Sequence, residues 1–191
     1  MKAWTLGIVG IVAALVIVKY SGLCTGSSCK TNATSTTASV LGSQSGGASN
    51  TSEAGLFVPI EQALSTARTQ HKLVMVDVYT DWCVWCKRLD HDVYPSPAVQ
   101  TALKTYFAAT KINAESQDLH AFEGKEVTGR QLANTWNVTG YPTILFLDSN
   151  GSVIESIPGY VPPKDFAQIL TYMGTHAYER ESFDAWQKQQ G

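Results

Sequence analysis

The stretch Leu73-Val74-Met75-Val76-Asp77-Val78-Tyr79-Thr80-Asp81-Trp82-Cys83-Val84-Trp85-Cys86-Lys87 decides how the chain reads. Its first seven residues are apolar on both alternating faces apart from one carboxylate, the pattern of a central strand buried on both sides. Directly after it come two cysteines with two residues between them, and then a segment that can be helical. A thiol is a nucleophile only when ionised. At a helix N-terminus the unpaired N–H groups and the positive end of the dipole favour the thiolate, lowering the pKa from about 8.5 to about 3.5–7.5. One turn on, the second thiol can close a disulfide. The same spacing serves half of a zinc site, so the strand before and the helix after are what favour a dithiol redox pair.

Outward from this stretch, elements alternate. Upstream, Pro59 opens a helical pattern with Ile60, Ala63, Leu64 and Ala67 on one face. Downstream, Lys87 to Asp90 continue as helix. Ser96-Pro97 starts another, with Val99, Ala102, Leu103 and Tyr106 inward. Phe107 to Ile112 reads as a strand, 114–128 as polar and irregular, and Gln131 to Trp136 as a short helix. Thr143 to Leu147 is a second buried strand, and Asn150-Gly151 turns it into Ser152 to Ile157 as a hairpin. After Pro162-Pro163, Phe166, Ile169, Leu170 and Met173 mark an amphipathic helix; Phe183 and Trp186 suggest a last short one. Alternation first and a hairpin later predicts an α/β fold, a mixed sheet with helices on both faces.

The 191 residues, 44% of them hydrophobic, suffice for one cored domain plus extra segments. Residues 3–18 are uncharged and apolar between Lys2 and Lys19. They are a little short for a bilayer helix of about 20 residues, which Lys19 and Tyr20 can extend. Lacking a clear Ala-x-Ala site, residues 1–24 are expected to be a signal anchor, with a cleaved signal peptide as the alternative. Residues 25–55 are mostly Ser, Thr, Gly, Ala and Asn, a linker of about 30 Å mean span. Residues 56–191 make the folded domain with a helical tail. All 16 acidic residues fall after Thr51, whereas Lys2, Lys19 and Lys30 precede it, leaving the domain 16 acids against 11 bases and a net charge of −5. No basic patch for nucleic acid is visible. Cys24 and Cys29 either form a small disulfide loop or are plain thiols.

The element order, the dithiol between first strand and second helix, and Gly140-Tyr141-Pro142-Thr143 before the hairpin together resemble the thioredoxin fold over about residues 57–175. Within that superfamily, Val74 to Lys87 is similar to the C-terminal periplasmic domain of the thiol:disulfide interchange protein DsbD. Phe122-Glu123-Gly124-Lys125 through Gly159-Tyr160-Val161-Pro162, and the tail from Tyr172 to Trp186, look more like the sulfur-oxidation thioredoxin SoxW and its tethered relatives.

The resemblance implies Cys83 as nucleophile and Cys86 as resolving thiol. Asp77 loses hydration inside its strand, so its pKa should rise; by resemblance it accepts the Cys86 proton. A carboxylate reaching solvent at the strand end is the plainer reading. The resemblance also implies a cis Tyr141–Pro142 bond, with the Tyr141 backbone beside the dithiol where an extended substrate can pair with it. Trp82 matches the family's tryptophan and shields the site, and Trp85 is expected on the surface of the turn as a contact for a partner. The chain departs from cytosolic thioredoxin in carrying Val84-Trp85 where Gly-Pro stands. Lys87 either supports the thiolate or is a solvated helix residue, and His71, His91, His120 and His176 read as surface residues.

The function implied is a thiol:disulfide oxidoreductase that reduces exported protein disulfides on the periplasmic side of a bacterial envelope. It would be held at the inner membrane by its N-terminal segment, or be soluble in the periplasm if that segment is cleaved. A membrane thiol donor would recharge it, with no cofactor, metal or nucleic acid, and it would act as a monomer. An oxidase or isomerase is the alternative within the same chemistry. A CxxC metal carrier, with all four cysteines as thiolates, or a non-catalytic binding module is the alternative outside it.

Overall fold

The computed structural model describes residues 55–190. The expected anchor, the linker up to residue 54, and the Cys24 and Cys29 pair lie outside the described residues. Among those described, no helix is long and apolar enough to cross a membrane.

Helix α1 (Ile60–Gln70) leads into strand β1 (Leu73–Tyr79) through His71, whose left-handed backbone ends the helix and donates back to the Ala67 carbonyl. Helix α2 (Val84–Arg88) runs on into a π-helical turn, Leu89–Val93, so the expected continuation past Lys87 is wider-wound than an α-helix. Helix α3 (Pro97–Tyr106) begins with proline in its first turn, where a missing N–H leaves nothing unpaired. It feeds strand β2 (Phe107–Asn113).

The next segment corrects the sequence reading. Residues 114–128 are not irregular: they hold strands β3 (Leu119–Phe122) and β4 (Lys125–Thr128), a separate antiparallel hairpin. Its turn has Glu123 at φ 50° and Gly124 at φ 75°, the two positive values that a two-residue hairpin turn requires. Phe122 anchors it, edge-on to Trp136.

Helix α4 (Gly129–Thr135) starts two residues earlier than Gln131 because Thr128 and Gln131 form a reciprocal capping box. Strands β5 (Thr143–Leu147) and β6 (Val153–Pro158) form the expected hairpin, with Asp148 accepting from the Asn150 and Ser152 N–H groups in the turn. Helix α5 (Pro163–Gly174), a 3₁₀ turn (Ala177–Glu179) and α6 (Phe183–Gln189) complete the order.

The main sheet runs β2-β1-β5-β6, with β1 and β2 parallel and the other pairs antiparallel. Side chains alternate across it. Val74, Val76 and Val78 of β1 pack with α1, α4 and Phe122. Leu73 and Met75 face the other way, toward α3, α5, Leu89, Val93 and Tyr94. Asp77 shares that second parity. This is the helix-covered mixed sheet of the thioredoxin fold, and β1 and α2 meet at one end of it.

Candidate active site

Strand β1 ends at Tyr79, and after three intervening residues Cys83 is the N-cap of α2. The cap requires extended backbone, which Cys83 has at φ −70° and ψ 108°. Its Sγ accepts the Cys86 N–H at 3.1 Å, the bond a serine or aspartate oxygen makes at an ordinary N-cap. Cys83 and Cys86 are joined in a disulfide with Cα atoms 5.3 Å apart. Each is only 3% exposed. A partner must therefore press against the surface around them.

That surface is aromatic. Trp82, Val84 and Trp85 are exposed. Trp82 stands edge-on to Tyr141, with centroids 5.9 Å apart, and its indole N–H donates to Glu115 Oε1 at 3.1 Å. The Tyr141–Pro142 peptide bond is cis. Trp85, Tyr141, Pro142, Gly159 and Tyr160 line a shallow cleft of about 320 Å³. The Gly159 N–H donates to the Pro142 carbonyl at 2.7 Å, tying the start of β5 to the end of β6 at the cleft floor.

Below the dithiol's strand lies a charged group cut off from water. Asp77 is wholly buried. Burial pushes its carboxyl up to about 6, against the downward pull of the Lys111 ammonium and a hydrogen bond with Tyr94, while Asp90 adds a further push upward. Lys111 is the residue directly across from Asp77 in the β1–β2 register. Its Nζ lies 3.5 Å from Asp77 Oδ2, in close contact with Asp90 Oδ1, and within 5.1–5.4 Å of the Phe57, Tyr79 and Tyr94 ring centroids. At 3.5 Å the Asp77 pair is an ion pair rather than a tight hydrogen bond.

The structure thus gathers Trp82, Cys83, Trp85, Cys86, Tyr141 and Pro142 at one end of the sheet, with Asp77 on the strand that leads to them. Lys87 is exposed. His71 and His91 are exposed, and His120 and His176 half-buried. Among the described residues no group of three or more His, Cys, Asp or Glu side chains is placed to hold a metal; the four-thiolate alternative needs Cys24 and Cys29, outside that range. Sequence reading missed Lys111, Asp90, Tyr94, Glu115, Arg88 and Tyr160. Lys111 carried a usable signal, a lone cation inside a strand next to Ala108, Ala109 and Ile112. The others come together only through the tertiary fold.

Strand β1, a disulfide-linked CxxC pair whose first cysteine caps α2, and a buried acid make up a dithiol site on a thioredoxin fold. Residues 60–174 match the thioredoxin-like domain family, and the chain belongs to it. The thiol:disulfide interchange protein DsbD of Tatumella citrea is 32% identical over 119 residues, 61% of this chain but 18% of that protein. The chain therefore spans under a fifth of the curated relatives it matches. Among solved structures, a thioredoxin-fold protein from Helicobacter pylori is 25% identical with a TM-score of 0.54, covering 61% of this chain and 77% of that one. A putative disulphide-isomerase from Bacteroides thetaiotaomicron is 28% identical with a TM-score of 0.50, covering 65% and 92%. Fold, family and CxxC pair together make this a thioredoxin-like domain that carries a dithiol–disulfide pair.

Proposed function

We propose that the protein reduces disulfides of exported polypeptides, using Cys83 as nucleophile and Cys86 as resolving thiol. The observation that carries this is the Cys83 Sγ at the N-cap of α2, accepting the Cys86 N–H at 3.1 Å. In the reduced protein that N–H and the helix end favour a Cys83 thiolate. The thiolate attacks one sulfur of the substrate disulfide, and the other sulfur leaves as a thiolate and takes a proton. Cys86 then loses its proton and attacks Cys83 Sγ, releasing the second substrate thiol and leaving the Cys83–Cys86 disulfide. Two electrons have passed to the substrate.

Asp77, with its carboxyl raised to about 6, is the proposed acceptor of the Cys86 proton, since a group titrating near the working pH is the most effective base. Trp82, Trp85, Tyr141 and Pro142 are the proposed contacts for the substrate chain. Similarity to DsbD supports the reductive direction, an envelope location on the periplasmic side, and recharging by a membrane thiol donor. The N-terminal apolar run supports attachment to that membrane, and the domain is taken to act as a monomer.

Reduction of insulin by the pre-reduced protein, with Cys83→Ser as control, tests the chemistry; turnover that survives the substitution overturns it. Equilibration against glutathione tests the direction. A reductant of this kind should lie near the roughly −270 mV of thioredoxin, and a value near the roughly −120 mV of DsbA would make it an oxidant.

A further inference from the structure

Trp85 lies between the two cysteines and is 51% exposed. An indole that open loses side-chain entropy on being held, unless something already packs on it. Two groups do. Tyr160, from the segment between β6 and α5, lies against it with centroids 5.5 Å apart. The Arg88 guanidinium, one turn further along, stands 5.4 Å from the Trp85 centroid and 5.5 Å from that of Tyr160. Asp92 accepts the Arg88 Nε–H at 3.0 Å and fixes the group in turn. One cation therefore joins two rings from separate segments, both on the wall of the cleft beside the dithiol.

The cleft itself is selective. Its lining side chains are aromatic and apolar except for two tyrosine hydroxyls and the Trp85 indole N–H, with no carboxylate, lysine or arginine among the lining residues. A charged side chain entering it would lose water and find no oppositely charged side chain among the lining residues. An aromatic or large aliphatic one would find ring faces and edges. Gly159 leaves the floor open, since a Cβ there would meet nothing within 4 Å. About 320 Å³ is at the small end of ligand-site volumes, suited to one large side chain and the backbone that carries it.

Resting on the redox reading above, we propose that Arg88 is a positioning residue that sets substrate choice. It holds Trp85 against Tyr160 as a preformed wall, and that wall selects extended polypeptide disulfides with a bulky apolar side chain beside the attacked cysteine. A wall ordered in advance spares the complex that ordering cost. Its loss should therefore appear in substrate binding and not in the chemical step.

The test uses two synthetic peptides, each closed by one disulfide and identical except for Phe or Ser beside the cysteine. They are reduced in a single turnover by the pre-reduced protein, so that its own two thiols supply both electrons and both protons. The wild type should half-saturate at about three- to tenfold lower concentration of the Phe peptide, the size expected for one or two exposed cation–π contacts. Arg88→Ala should remove that preference, leave the limiting rate on both peptides in place, and be only partly rescued by Arg88→Lys, whose ammonium cannot lie against both rings as the guanidinium does. Equal half-saturation of the wild type by both peptides overturns the proposal. So does an Arg88→Ala variant whose limiting rate falls alike on both, which would assign Arg88 to the electrostatics of the thiolate. A wild type that reduces neither peptide sinks the redox reading, and this proposal with it.

Discussion

The Asp77 carboxyl is a costly group to bury. It is wholly buried, and its pKa has moved from 3.8 to about 6. In the folded protein it binds its proton more tightly than in the unfolded chain. Below about pH 3 both states are protonated and no penalty exists; as pH rises through about 4 toward about 6 the unfolded chain ionises first, and stability falls. Above that the penalty is constant at about 3 kcal/mol. Asp77→Asn should therefore raise stability by about 2–3 kcal/mol near neutral pH and by almost nothing near pH 3, read from urea midpoints at the two values. The same variant should slow release of reduced substrate by about tenfold or more, as loss of a general base does.

Lys111 is the counterweight, 3.5 Å from Asp77 and in contact with Asp90. Lys111→Met keeps the stem against Phe57, Tyr79 and Tyr94 and removes the charge. Asp77 would then hold its proton to higher pH, and the acidic limb of the pH–rate profile for disulfide reduction should move upward. A limb that stays in place would separate Asp77 from the rate. Asp77 is the plainer of the two in sequence, as the one carboxylate in an apolar run. Lys111 is visible there as a lone cation in a strand, but its partner is set only by the parallel register of β1 and β2, which places it opposite Asp77.

Among the elements, those with a strong periodic pattern were legible. Strand β1 has the bounds its pattern predicts, and α1, α3 and α5 bury the residues that their spacing picks out except Tyr106 and Ile169, which are half-buried against the same core. The β3–β4 hairpin was not legible for a physical reason. Its strands have four residues each, all exposed or half-buried except Phe122, and its turn is Glu123-Gly124, a weaker signal than the Asn150-Gly151 of the β5–β6 turn. What fixes the hairpin is Phe122, packed against Trp136 of one element and Gly151 of another. The start of α4 was legible in principle through the Thr128 and Gln131 box. It also depends on a close approach: a Cβ on Gly129 would stand 2.2 Å from the Asn113 carbonyl oxygen of β2. The obstacle is backbone, which cannot swing aside. Gly129→Ala should therefore cost about 2 kcal/mol or more, in the range of overpacked cores, and lower the thermal midpoint. A neutral result would mean that α4 can slide along β2.

At the scale of the molecule, function gathers at one end of the sheet while the C-terminal tail stabilises a surface elsewhere. The sequence hinted at α6 through Phe183 and Trp186 but could not say where it docks. It folds back on α5, where Tyr172 contacts both Phe183 and Trp186 and its hydroxyl donates to the Glu181 carbonyl at 2.6 Å. Trp186 ends only 8% exposed. Beneath this cluster Ile157, Ile169, Met173 and Phe183 line an apolar hollow, which the tail partly covers. Tyr160 and the dithiol cleft belong to the segment before α5, whereas Tyr172 lies in its last turn. The tail can therefore be loosened without touching the chemistry. Trp186→Ala should lower stability by about 3 kcal/mol, the low end for truncating a buried tryptophan, yet leave the glutathione equilibrium and the rate per folded molecule as in the wild type. A changed potential would mean that α6 reaches the active site through α5, and the separation of stability from chemistry in this domain would fail.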